Sequence, residues 1–94
     1  MLTVSTGIYR CSRELAAEIA DCANLRQVTS ADSYDLWQDR QTGGGGCRIV
    51  WRGGLAWVSR HAGYPWADVT DVVKDLFRES GAKEVSYVQN PMAG

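Results

Sequence analysis

Tryptophan and arginine recur through the middle of this chain as Trp37, Arg48, Arg52, Trp57 and Arg60, with Val50 among them. These two residue types dominate binding hot spots. Asp35 and Asp39 flank Trp37, so the group combines an apolar centre with a charged rim, the composition of an interaction surface. The chemistry it offers is recognition, by stacking, cation–π contact and charge pairing, rather than bond making. The bland alternative is that a loop, the chain's own C-terminal segment or a second protomer covers these side chains. A homodimer would satisfy both readings.

Other groups invite a catalytic reading and lose it on spacing. Cys47 and His61 are the types of a nucleophile and its base, but strand alternation puts them on opposite faces, as a core cysteine and a surface histidine. Asp68, Asp71 and Asp75 fall on one side of a helix, and acid–base work needs one of them in a buried setting. They lie opposite the apolar stripe and read as a solvated face. Gly43 to Gly46 lacks the Lys-Ser/Thr ending and following helix of a phosphate loop; Cys47 follows and opens a strand. One histidine and three scattered cysteines have no zinc-ligand spacing. The sequence therefore calls for no cofactor, no metal and no catalytic set.

The binding group is positioned by a hairpin. Cys47 to Arg52 and Leu55 to Arg60 flank Gly53-Gly54, a pair that supplies positive φ at both centres of a two-residue turn. The turn sets Arg52 opposite Leu55, Trp51 opposite Ala56, Val50 opposite Trp57, Ile49 opposite Val58 and Arg48 opposite Ser59. Alternation then gives a core face of Cys47, Ile49, Trp51, Ala56 and Val58, and an outer face carrying Arg48, Val50, Arg52, Leu55, Trp57 and Ser59. A third strand, Ser33 to Arg40, also alternates. Setting Leu36 opposite Trp51 and Gln38 opposite Ile49 places Asp35 against Arg52, Trp37 against Val50 and Asp39 against Arg48. Each opposite-charge pair adds roughly 0.2–1 kcal/mol, and a one-residue slip moves both aspartates into the core. This register predicts an outer row of Trp37, Val50 and Trp57 rimmed by charge.

Elsewhere, Leu2, Val4, Thr6 and Ile8 alternate as a strand, with Gly7 a bulge. Ser12 caps a helix over Arg13 to Leu25, with Asn24 a point of fraying and a polar connection over Val28 to Asp32. Pro65 to Ser80 is an amphipathic helix with Val69, Val72, Val73, Leu76 and Phe77 on its apolar face and Gly81 closing it. Tyr64 and Trp66, at its mouth, either extend the patch or cap the core. Lys83 to Gln89 is a last strand. The fold class is α+β: a two-layer sandwich with a mostly antiparallel sheet of four to five strands in the order β-α-β-β-β-α-β, and two helices on one face. A paired N-terminal strand would bring it towards a ferredoxin-like plan.

The chain's 94 residues make a single small domain. Its formal charge of −1 gives no overall attraction to nucleic acid or an anionic membrane. No apolar run reaches the roughly 18–20 residues of a membrane span, and the N-terminus does not read as a secretory signal. Odd, scattered cysteines predict a reducing, cytoplasmic setting. Helix, three-strand meander, helix is also the order of a double-stranded RNA-binding domain. The position where such domains open their second helix with lysines reads Pro65-Trp66-Ala67-Asp68 here, which is apolar to acidic. The expected function is therefore a small non-catalytic module that binds a protein partner through the outer face. An inhibitor or accessory protein of a phage or mobile element, acting for example on a host defence complex, fits it. The alternative is a nucleic-acid-binding module, with Trp37 and Trp57 stacking on bases and Arg48, Arg52 and Arg60 on phosphates.

Overall fold

Alternation and helical periodicity resolve, in the computed structural model, into β1 (Thr3–Arg10), α1 (Arg13–Cys22), β2 (Leu25–Ser30), β3 (Tyr34–Asp39), β4 (Cys47–Arg52), β5 (Leu55–His61), α2 (Thr70–Glu79) and β6 (Lys83–Glu84). The structure describes residues 3–31, 34–39, 47–61 and 69–86. The Gly43–Gly46 loop, Tyr64 to Asp68 and the expected strand residues beyond Ser86 lie outside the described residues. The sheet has six strands in the order β2-β3-β4-β5-β1-β6, each antiparallel to its neighbours. The class is the expected α+β sandwich. The plan departs from a ferredoxin-like one, because β2 to β5 form an unbroken meander and β1 joins only after its last strand.

Both ends of α1 and the end of α2 have a local cause, whereas α2 opens at Val69 without a side-chain cap. Ser12 accepts a hydrogen bond from the Leu15 amide at 3.1 Å and caps α1. Asn24 takes a left-handed φ of 60° and turns the chain out of α1. The chain then continues as β2, a strand the sequence reading assigned to helix end and connection. Polar β2 lies at the sheet edge and anchors through Leu25 alone, so its pattern of burial is not one of alternation. Gly81 closes α2 at φ 81°. There the Ala82 amide donates to Phe77 O and the Gly81 amide to Arg78 O, both at 3.1 Å, which satisfies the last carbonyls of the helix. In β1 the ladder with β5 shifts between Ser5 and Gly7, the bulge that Gly7 announced.

Both helices pack on one face. Ala16, Ile19 and Ala20 of α1 and Val73 and Phe77 of α2 close over Tyr9, Ile49, Ala56 and Val58, whereas Val72, expected on the apolar face of α2, is exposed. The Tyr9 ring stacks on Phe77 with centroids 4.9 Å apart and lies against Gly7, where an added Cβ would approach its hydroxyl to 2.8 Å. The hairpin register matches expectation at every pair from Arg48↔Ser59 to Arg52↔Leu55.

The register of β3 does not. Leu36 lies opposite Val50, Trp37 opposite Ile49, Asp35 opposite Trp51 and Gln38 opposite Arg48, one residue away from the expected pairing. Trp37 therefore sits in the helix-side core, and Leu36 takes its place on the outer face. Asp35 also turns to the helix side and is only 3% exposed. Its carboxylate is met there by Arg13 at the start of α1. Arg13 Nε donates to Asp35 Oδ2, and Nη2 donates to Oδ1 at 2.9 Å. Gln27 Nε2 donates to Oδ1 at 3.1 Å, and Ser30 adds a further side-chain hydrogen bond. Hydrogen bonds to a charged group contribute about 1.5–3 kcal/mol each, more than the roughly 0.2–1 kcal/mol of an exposed cross-strand pair. Trp37 also buries more apolar surface than Leu36 would. Those terms select the observed register.

Arg13 holds the Asp35 carboxyl below its ordinary value of 3.8. A group whose folded-state pKa is depressed stabilises the fold above its unfolded value and loses that contribution as pH falls through the folded value. Asp35→Asn should therefore cost about 1–3 kcal/mol near neutral pH, with the gap to wild type closing in acid below that carboxylate value. Urea unfolding of both proteins across this range measures it, and a gap that does not change with pH refutes the assignment. The Tyr9 hydroxyl is buried and has no hydrogen-bond partner among the described residues. Tyr9→Phe should accordingly be neutral or stabilising by up to about 1 kcal/mol in the same assay.

Candidate functional site

The outer face of the sheet is built from three parallel rows of ladder positions. The middle row is apolar: Leu36, Val50, Trp57 and Ile8 are paired in sequence across four strands and form one cluster, with Val85, just past the last strand, packed against it. Val50 is 0% and Trp57 4% exposed. The exposed tryptophan row expected from sequence is thus corrected on two counts. Trp37 lies on the opposite side of the sheet, and Val50 and Trp57 are closed to solvent.

The second row crosses five strands without a break. Tyr34 pairs with Arg52, Arg52 with Leu55, Leu55 with Arg10, and Arg10 with Lys83. Arg52, Arg10 and Lys83 are exposed, while Tyr34 and Leu55 are half-buried between them. The third row, on the other side of the apolar one, holds Arg26, Gln38, Arg48 and Ser59. With its amide oriented to satisfy it, the Gln38 oxygen accepts from Arg48 Nε at 3.1 Å and Nη2 at 2.7 Å. The ladder neighbour that meets Arg48 is thus a neutral amide and not a carboxylate.

Charge is segregated between the layers. Arg10, Arg26, Arg48, Arg52 and Lys83 occupy the outer rows, and among the described residues no carboxylate shares those rows. The ion pairs among the described residues involve Arg13 and Arg78, both on the helix side. The exposed acids Glu14, Glu18, Asp21, Asp71, Asp75 and Glu79 are carried by the helices. Glu84 pairs with Tyr9 in the ladder and lies 3.7 Å from Arg78 of α2, which also places it on the helix side. A formal charge of −1 conceals this separation, because composition adds the two faces together.

The remaining residues of the expected surface separate cleanly. Arg48 and Arg52 are where they were expected. Arg60 pairs with Cys47, so alternation puts it on the helix side, not with the other arginines. Asp35 is the buried partner of Arg13. Asp39 takes the ladder position opposite Leu25, away from Arg48. Leu55 is on the outer face as alternation predicts, and Arg10, Tyr34 and Lys83, not expected there, complete the cationic row. Alternation from Ile8 places Arg10 there once the first strand pairs with β5.

Cys47 is buried on the helix side, and Cys11, Cys22 and Cys47 form no disulfide. Burial pushes the Cys11 thiol up to about 11, so it stays protonated and unreactive. Asp71 and Asp75 are exposed on α2, consistent with a solvated face. Among the described residues no group of three or more His, Cys, Asp or Glu side chains is placed to hold a metal ion, and no helix is long and apolar enough to cross a membrane. Compared with protein-family models, curated proteins and solved structures, the chain finds no match in any of the three.

The two kinds of outer row should respond oppositely to mutation. Trp57→Ala removes a buried indole and should destabilise by about 3–5 kcal/mol. Arg10→Glu and Arg52→Glu, both at exposed positions, should each stay within about 0.5 kcal/mol of wild type. Thermal and urea melts test the contrast. Comparable losses in all three would mean that the cationic row is part of the core.

Proposed function

We propose that this protein is a non-catalytic binding module that engages a protein partner through the outer sheet face. The observation that supports it most is the row Tyr34–Arg52–Leu55–Arg10–Lys83, where exposed cations alternate with half-buried Tyr and Leu side chains. Tyrosine and arginine are hot-spot types, and uncompensated charge on one face steers a partner of opposite sign and fixes its orientation. An inhibitor or accessory subunit that occludes an acidic surface of a larger assembly is the role this surface suits.

Nucleic acid is the second reading, and the same cations favour it. It gains little from the indoles. Binding of single strands draws on aromatic platforms as well as phosphate contacts, and Trp37 and Trp57 are each 4% exposed. The protein reading is therefore preferred.

A photoreactive benzophenone amino acid placed at position 55, and separately at position 72 on the exposed side of α2, tests the choice in cells. Protein adducts should form from position 55, survive nuclease, and disappear when Arg10→Glu and Arg52→Glu are added. Equal adducts from position 72 would contradict the proposed face. Nuclease-sensitive adducts would replace the protein reading with the nucleic-acid one.

A further inference from the structure

From the spacing of the cationic row we infer the shape of its partner: an acidic helix lying across the strands, presenting carboxylates two turns and then one turn apart. This inference rests on the protein-binding reading above and specifies what occupies the face.

The row runs perpendicular to the strands, so its side chains are separated by the ladder spacing of about 4.8 Å. From Arg52 to Arg10 is two ladder steps, with Leu55 between them, and Lys83 is one step further. That gives about 9.6 Å and then about 4.8 Å. A helix rises about 1.5 Å per residue, so positions i and i+7 lie about 10.5 Å apart and one turn spans about 5.4 Å. Acids at i, i+7 and i+10 or i+11, with an apolar residue at i+3 or i+4 between the first two, match Arg52, Arg10, Lys83 and Leu55 in turn. Tyr34 extends the row one step past Arg52. The four steps then cover about 19 Å, the length of roughly 13 helical residues.

An extended strand matches less well. Its side chains return to one face every two residues, about 6.6–6.8 Å apart, so the second falls between Leu55 and Arg10 and only the third, at about 13 Å, comes back near Lys83. The third row of the face, Arg26–Gln38–Arg48–Ser59, carries its own cations but brings no apolar side chain between them. It therefore serves as an internal control. Charge attraction alone would use both cationic rows, whereas a seated helix would use one.

The experiment measures binding of labelled probes to the full chain by fluorescence anisotropy at low ionic strength. One probe is a staple-constrained helical peptide with glutamate at i, i+7 and i+11 and leucine at i+4. The second is a peptide of the same composition in scrambled order, and the third is an oligodeoxythymidine. The inference predicts that the first probe binds at least about tenfold tighter than the other two. It also predicts that Arg10→Glu with Arg52→Glu weakens the first probe by at least about tenfold, while Arg26→Glu changes it by less than about twofold. Equal binding of the scrambled peptide or the oligonucleotide, or an equal effect of Arg26→Glu, overturns it. Position-55 protein adducts in cells, together with no preference for the helical peptide, would refute the helix and leave the protein-binding reading standing.

Discussion

A buried carboxylate with no water to solvate it is tolerable only where a cation and further donors meet it. Asp35 is that carboxylate. Arg13, on the first turn of α1, supplies the cation and reaches the hairpin of β2 and β3 from above. Besides Asp35, its Nη2 donates to the Ala31 carbonyl and, at 3.3 Å, to the Tyr34 carbonyl. Its guanidinium also lies 5.5 Å over the Trp51 ring, and Trp51 Nε1 donates to Cys11 O at 3.1 Å. One side chain thus ties the start of α1 to the β2–β3 turn and to Trp51 near the end of β4.

From that constraint the two sides of the sheet follow. With Asp35 drawn inward, alternation carries Trp37 inward beneath α1 and leaves Leu36 outside to complete the apolar row with Val50, Trp57 and Ile8. It also takes a carboxylate off the outer face. Had Asp35 stayed opposite Arg52, that arginine would be compensated, and the face would read as a mixed, self-paired surface. That Arg52 faces Tyr34 and not a carboxylate in the ladder is therefore a consequence of how the core satisfies one acid.

Much of the fold was legible because its signals are local. Gly53-Gly54 set the hairpin pairing, Ser12 started α1, Gly81 ended α2, and Gly7 marked the bulge in β1. What was not legible depended on contacts distant in sequence. β2 reads as a polar connection because Arg26, Gln27, Thr29 and Ser30 show no apolar alternation. Without β2 on the page, Gln27 and Ser30 could not be offered to Asp35, nor Arg13 be seen as its cation. The missing strand and the slipped register are thus one error with one cause. The same slip misplaced Trp37, Asp35 and Asp39 in the expected site, whereas Arg48 and Arg52 survived because the glycine turn alone determines them. Charge segregation was hidden for a different reason, since a composition sum cannot tell two faces apart.

The pairing of β3 with β4 tests the account most directly. In a backbone nuclear Overhauser spectrum of the folded protein, cross-strand contacts should link residue 36 with 50 and residue 37 with 49. Contacts linking 36 with 51 and 37 with 50 would restore Asp35 to the outer face and contradict both the Arg13 tether and the cationic row that depends on it.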